Sequence, residues 1–313
     1  MEQQFGGDTN FYGCMVDAFV EHGFSNFYHK ISGDSMRMWA PKIDDFRERI
    51  WRSVCFEKDP NDGRYSLKRP GYTFDLDSWR IFGFIDCTDV RTCRPGSGPV
   101  GPDGERRENS GDIQRAFYSS YMKSHGLKYQ CVTLPNGMFG SVFGTALSHN
   151  DRGVLNMSHL QEYLLDLIPP TIGNLEFGFY RAALFGDSIY IPSQVLLRKI
   201  INSLHPTDTQ FNSDLNSART RIEHHFGTLF NGFRLLSQKH RFKLLSKKRG
   251  VNRLHLTIFF ISNCHTCFRG NTISKNFDMS SPSIEEYLPL DENLVQYNDN
   301  DAQDDYNMFG PDF

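Results

Sequence analysis

The chain has 313 residues, 39% of them hydrophobic and 14% aromatic, which is enough to bury a core of ordinary domain size with something left over. With a formal net charge of −3, no apolar run of membrane-spanning length, and a start, Met1-Glu2-Gln3-Gln4, without the basic-then-apolar pattern of a signal peptide, a membrane or secreted protein is not expected. The seven cysteines form an odd set without framework spacing, so reduced thiols in a nuclear or cytoplasmic protein are the expectation.

Met1 to Asp75 reads as a helical region. Cys14 to Val20 and Ile43 to Trp51 both show helical spacing, with Gly33 and Pro41 as punctuation between them. A helix-turn-helix is conceivable here, but no recognition-helix pattern is legible, so packing against the downstream domain is the preferred reading. Ile81-Phe82-Gly83-Phe84-Ile85-Asp86 is an apolar run closed by a carboxylate, the pattern of a buried strand delivering charge to its end. Arg94 to Asp112 comes next as a surface loop. Its Gly96-Ser97-Gly98-Pro99-Val100-Gly101 matches GxGxxG formally, but Pro99 and Pro102 remove backbone donors and no helix opens afterwards, so a dinucleotide site is rejected. Arg106-Arg107 in this loop reads as solvated.

Leu127 to Leu134, the turn Pro135-Asn136-Gly137 and Met138 to Leu147 make a hairpin. A helix is expected from about Gly153 to Leu167. The second apolar strand with an acidic end is Ala182-Ala183-Leu184-Phe185-Gly186-Asp187. Phe185-Gly186-Asp187-Ser188 also matches an esterase block, but no histidine in the chain has an aspartate three residues before it, so an acyl-transfer mechanism lacks its base. His205 to Leu215 reads as a polar loop. In Asn216 to Phe233, Ile222, Phe226, Leu229 and Phe233 recur at helical spacing, and Arg219, Glu223 and Gly227 lie one step round. His224 and His225 beside Glu223 read as packed or capping residues before site residues.

Charge is unevenly spread. Asp278 to Phe313 contains ten Asp/Glu and no Lys/Arg, leaving 34 basic against 27 acidic residues in the remainder; His224 to Phe277 holds ten Lys/Arg and no acid. Lys239, Arg241, Lys243, Lys247, Lys248 and Arg249 form clusters that suit a polyanion. Leu254 to Phe260 reads as a core helix. Cys264-His265-Thr266-Cys267 is a lone CxxC without a second pair at zinc spacing. From residue 271 onward an acidic, disordered tail is expected.

Asp86, Asp187 and Glu223 are far apart in sequence and make sense together if folding gathers them around divalent metal. Mg2+ or Mn2+ takes hard oxygen ligands, and two ions roughly 4 Å apart can clamp the attacking and leaving oxygens of a phosphoryl displacement. Four blocks carry a resemblance: "GFIDCTDVRTCRPG" at Gly83 to Gly96, "HGLKYQCVTLPNGMFGSVFG" at His125 to Gly144, "LFGDSIYIP" at Leu184 to Pro192 and "RTRIEHHFGTLFNGFRLL" at Arg219 to Leu236. In this order, and with 35 residues between Asp187 and Glu223, the chain resembles the PIF/Harbinger-type DDE transposases and their domesticated relatives, over roughly Trp79 to Cys267.

The resemblance implies an α/β, ribonuclease-H-like domain at residues 76–270, a mixed sheet flanked by helices, between the helical region at 1–75 and the tail at 271–313. It implies Asp86, Asp187 and Glu223 as catalytic metal ligands and DNA as substrate. It further implies a Myb-like DNA-binding partner protein and a place in the nucleus, and leaves assembly into a homo-oligomer open. Asp151 falls where relatives often carry a His-Asp pair, and stands as an auxiliary metal or positioning residue or as a helix N-cap. Cys87 stands where relatives usually have Gly. A catalytically silent, transposase-derived nuclear interaction protein is the alternative, and a nuclease of the same fold without transposition is a third reading.

Overall fold

A computed structural model describes residues 27–68, 79–94, 110–174, 176, 178–201, 206–233, 236 and 250–289. The expected helix at Cys14 to Val20, the Arg106-Arg107 pair and the residues after 289 lie outside them.

The described N-terminal part opens with α1 (Met36–Trp39) and α2 (Ile43–Cys55). Asp44 and Asp45 stand in the first turn of α2 and Arg52 in the last, which suits the helix dipole. Its apolar stripe of Phe46, Ile50 and Val54 is buried, and Trp51 and Arg47 both meet the ring of Trp79, at 5.3 Å and 5.0 Å. A short hairpin, β1 (Phe56–Lys58) with β2 (Tyr65–Leu67), comes after α2. Residues 27–68 thus pack into the same core as the rest, in line with the preferred reading of the N-terminal helices, and the hairpin is an addition to the helical region expected at 1–75.

β3 (Ile81–Arg91) is the centre of the sheet. Asp86 does not end this strand: Cys87 to Arg91 continue it, paired with the next long strand. Polar Thr88 and Asp89 obscured that continuation, because their half-buried side chains need no apolar pattern. After α3 (Ser110–Phe117) and β4 (Tyr118–Ser119) come β5 (Ser124–Thr133) and β6 (Phe139–Ala146), the expected hairpin. Gly137, with φ +85, makes the turn, a backbone conformation that a side chain would strain.

The helix expected at Gly153 to Leu167 is two helices, α4 (Asp151–Met157) and α5 (Leu160–Leu167), broken where His159 adopts φ 49. A small hairpin, β7 (Ile172–Asn174) with β8 (Gly178–Tyr180), leads to β9 (Ala183–Gly186) and β10 (Leu196–Arg198). The six-stranded sheet runs β10-β9-β3-β5-β4, with β6 also on β5; β9 is parallel to β3 and to β10, and β5 is antiparallel to β3 and to β6. This mixed sheet flanked by helices is α/β and ribonuclease-H-like, as expected.

α6 (Pro206–Gly232) has 27 residues and takes in most of the stretch read as a polar loop. Pro206 opens the helix, where a missing N–H costs nothing. Phe211, Leu215 and Ala218 carry the buried stripe of Phe226 and Leu229 back toward the start of the helix, while Ser213, Ser217 and Thr220 are exposed. α7 (Val251–Arg269) also runs further than Leu254 to Phe260, so Cys264 and Cys267 sit one turn apart on a helix.

The tail expectation is corrected in part. α8 (Thr272–Asn276) and α9 (Ile284–Tyr287) are both held by capping boxes, Asn271 with Ser274 and Ser283 with Glu286. Ile273, Phe277 and Tyr287 are buried. Tyr287 stacks against Trp39, accepts from Asn263 Nδ2 at 3.1 Å and donates to the Lys30 carbonyl at 3.2 Å. Three well-placed apolar residues suffice here, although the local composition is polar.

Strand alternation assigns the two faces of the sheet. Phe84 and Thr133 are register partners, and Thr133 meets His225 of α6; Tyr129, on the same face of β5, meets His255 and Phe259 of α7. On the opposite face Gln130 bonds Ser158 and Lys128 bonds Asp151, so α4 and its C-cap lie there.

Gly186 is needed for close approach. A Cβ at this position would meet Tyr190 Cδ2 at 2.5 Å and Ile85 Cγ2 at 2.9 Å, both on fully buried side chains. Gly186→Ala is expected to destabilise the fold by about 1–3 kcal/mol, read as a lower urea midpoint with unchanged slope.

Candidate active site

The parallel pairing of β3 with β9 sets the geometry. Its register shifts between Ile81 and Gly83, so that Phe84 lies beside Phe185. The pairing ends there; carried two residues further, that register would bring Asp86 level with Asp187, whose negative charge is among those that raise the Asp86 pKa. Phe185 packs edge-on against Phe211 of α6, so the face of Phe185 is the one covered by the helix that bears Glu223.

Asp86 is 15% exposed. Its Oδ1 accepts from the Cys87 amide at 2.9 Å and its Oδ2 from Arg219 Nη1 at 3.3 Å. Burial pushes its pKa up to about 6; the Cys87 amide and Arg219 oppose the rise, and the negative charges of Asp151 and Asp187 add to it. Asp187 comes directly after β9, and its Oδ1 accepts from the Ser188 amide at 2.6 Å. The turn that carries it is fixed from below: Arg198 Nη1 donates to the carbonyls of Ser188 and Tyr190, at 2.7 and 2.9 Å, and the buried Tyr190 hydroxyl lies 3.5 Å from Cys87 Sγ. Cys87, where a Gly was the expectation of the resemblance, therefore has a packing partner in Tyr190.

Glu223 lies on α6, and its side chain is 54% exposed. Arg219, one turn earlier, reaches it through Nη2 at 3.3 Å. One guanidinium thus touches Asp86 on the strand and Glu223 on the helix. Among the described residues, no three His, Cys, Asp or Glu side chains stand close enough together to form a ready metal cage. The donor set nevertheless suits a hard cation: acidic oxygens converge from two elements, and a positive group already stands between two of them.

Asp151 is placed differently. Asn150, not Asp151, caps α4, accepting from the Gly153 amide at 2.8 Å. The Asp151 carboxylate is held by Lys128 Nζ at 2.6 Å, and Lys128 also lies 3.4 Å from Asp89; this ion-pair group is on the far face of β3 and β5 from Asp86. His225 is buried and stacked on Phe139 at 3.9 Å, and burial pushes its pKa down to about 3, so it is a neutral packing residue; His224 is exposed. Lys239, Arg241, Lys243, Lys247, Lys248 and Arg249 lie outside the described residues.

A family model described as DDE superfamily endonuclease matches residues 85–263. The chain belongs to that family. The match spans more than half of the 313 residues and includes Asp86, Asp187 and Glu223. No curated protein and no solved structure matches the chain. Membership supports a nuclease- or transposase-type function in which divalent metal is general. Among the described residues, no helix is long and apolar enough to cross a membrane.

Sequence reasoning missed Arg219 as a site residue, although its spacing from Glu223 was a signal: four residues on a helix bring two side chains together. Tyr190 and Arg198, which hold the Asp187 turn, had no such signal.

The pKa of Asp86, raised from 3.8 to about 6, fixes the sign of a pH effect. The folded protein holds this proton more tightly than the unfolded chain, so the contribution to stability is complete below pH 4 and lost as pH rises through 6. In chelator at pH 7.5, Asp86→Asn is therefore expected to raise unfolding free energy by about 1–3 kcal/mol, with the gain shrinking as pH falls toward 4. Urea unfolding at several pH values checks this.

Proposed function

We propose that this DDE superfamily endonuclease is a metal-dependent DNA endonuclease of the PIF/Harbinger transposase type, hydrolysing phosphodiester bonds and capable of strand transfer. The observation that supports this reading is the parallel pairing of β3 with β9, Phe84 beside Phe185, on the face where Phe185 meets Phe211 of the Glu223 helix; carried two residues further, that register would bring Asp86 to Asp187. In this reading Asp86, Asp187 and Glu223 would hold Mg2+ or Mn2+, which when bound would supply Lewis acidity for water activation and for the charge of the leaving oxygen.

The chain's own residues supply the rest. The Cys87 and Ser188 amides each bond one oxygen of their aspartate, which fixes the carboxylate planes and leaves the second oxygen for other partners. Arg198 and Tyr190 keep the Asp187 turn from drifting. The half-exposed Glu223 closes the site toward solvent, the side from which DNA would approach. Asp151 acts at most through Lys128, as a positioning residue. The basic clusters between Lys239 and Arg249 would contact DNA phosphates, and the protein would work in the nucleus with a Myb-like DNA-binding partner.

The silent, interaction-only reading draws support from the guanidinium lodged between Asp86 and Glu223. A cleavage assay with Mg2+ or Mn2+ separates the two. Asp187→Asn is expected to abolish metal-dependent cleavage while unfolding midpoint and DNA affinity stay near those of the parent, and Asp151→Asn to keep cleavage within about tenfold. Cleavage retained by Asp187→Asn would refute the assignment; no cleavage by the parent would favour the interaction protein.

A further inference from the structure

Arg219 makes two contacts that its position on a helix does not by itself require. A partly exposed i,i+4 pair with Glu223 would by itself stabilise α6 only slightly. The contact with Asp86, by contrast, reaches 133 residues back in the chain, to a carboxylate that is 15% exposed. Separate terminal nitrogens serve separate carboxylates, Nη1 for Asp86 and Nη2 for Glu223. A guanidinium stays charged at any pH a folded protein tolerates. It therefore does there what a bound cation would do, neutralising buried and half-buried acids that would otherwise repel.

We propose that Arg219 is an internal counter-ion, holding the position of a divalent cation in the metal-free protein, and that metal binding requires its side chain to swing into solvent. The inference rests on the metal-site reading given above and deepens it. Because Arg219 cannot lose its charge, competition with metal is resolved by movement. The side chain already reaches solvent, Arg219 being 21% exposed and its partner Glu223 54% exposed, so the movement the proposal requires is a rotation of the arginine side chain. Metal affinity is then reduced by the fraction of molecules in which the guanidinium is out. The acids, splayed around a guanidinium, do not form a compact cage, as expected for a site whose present occupant is planar and broad.

The test is titration of Mn2+ alone, without DNA, into the full chain by calorimetry, with urea midpoints measured in chelator and in Mn2+. The parent is expected to bind Mn2+ and Asp187→Asn to bind it far more weakly. Arg219→Gln is expected to bind Mn2+ about tenfold more tightly than the parent, to be less stable in chelator, and to gain more stability from Mn2+. An Arg219→Gln protein with unchanged or weaker Mn2+ affinity, and a stability loss that Mn2+ does not restore, would make Arg219 a tether between α6 and β3 and overturn the proposal. Should Arg219→Gln fail to fold, Arg219→Met serves: it keeps the aliphatic stem and removes the charge, so tighter Mn2+ binding supports the counter-ion and unchanged or weaker binding overturns it. If the parent and Asp187→Asn both fail to bind Mn2+, the metal-site reading itself falls and the counter-ion with it. Binding lost in Asp187→Asn but unaltered in both Arg219 variants removes the counter-ion alone.

Discussion

The arrangement depends on one irregularity, the register shift at Phe82 where β3 meets β9. In a regular parallel ladder starting from Ile81 beside Ala183, Ile85 rather than Asp86 would stand beside Asp187. Because side chains alternate along a strand, a slip of one residue moves every later side chain to the other face. One extra residue in β3 therefore decides that Phe84 meets Phe185. Bulges commonly re-aim side chains near functional sites, and on the proposed reading this one would bring the two aspartates that lie two residues further on to one face.

Placing acids side by side is costly, and the surroundings show how the fold tolerates it. Asp86 is held partly by an amide and partly by Arg219, yet burial still drives its pKa up to about 6. A carboxylate with an elevated pKa would gain from a cation beside it, and on the proposed reading metal binding would add stability in this way. Across the sheet, Lys128 resolves a similar problem permanently: it lies between Asp89 and Asp151, 12% exposed, with no comparable route to solvent. The contrast separates a structural ion pair from a charge arrangement suited to exchange.

The outer segments serve the same core. Asp278 gathers Arg49, Lys58 and Tyr65, and Tyr287 joins Asn263 of α7 to the Lys30 carbonyl. Chain ends usually treated as appendages thus tie the N-terminal helices to the sheet, and through α2 and α7 they support the layer in which α6 sits.

Much of this was legible in the amino-acid order. Apolar runs ending near Asp86 and Asp187, the hairpin turn at Gly137 and the stripe ending in Leu229 specify strands, a turn and a helix, because burial of one face imposes a period that composition reveals. Ordered motifs pointed to the family in the same way. Other features obey a different logic. The polar half of β3, the first turns of α6 and the folded stretch at 271–289 lack dense apolar patterning, and they are ordered by partners distant in sequence: β5, the aromatic Phe185, the Trp39 ring. The pairing of Phe84 with Phe185, the reach of Arg219 to both helix and strand, and the placing of Asp151 with Lys128 on the opposite face depend on strand register and on which side a helix packs. Those are relations between segments, set only when the chain closes on itself, and no local pattern encodes them.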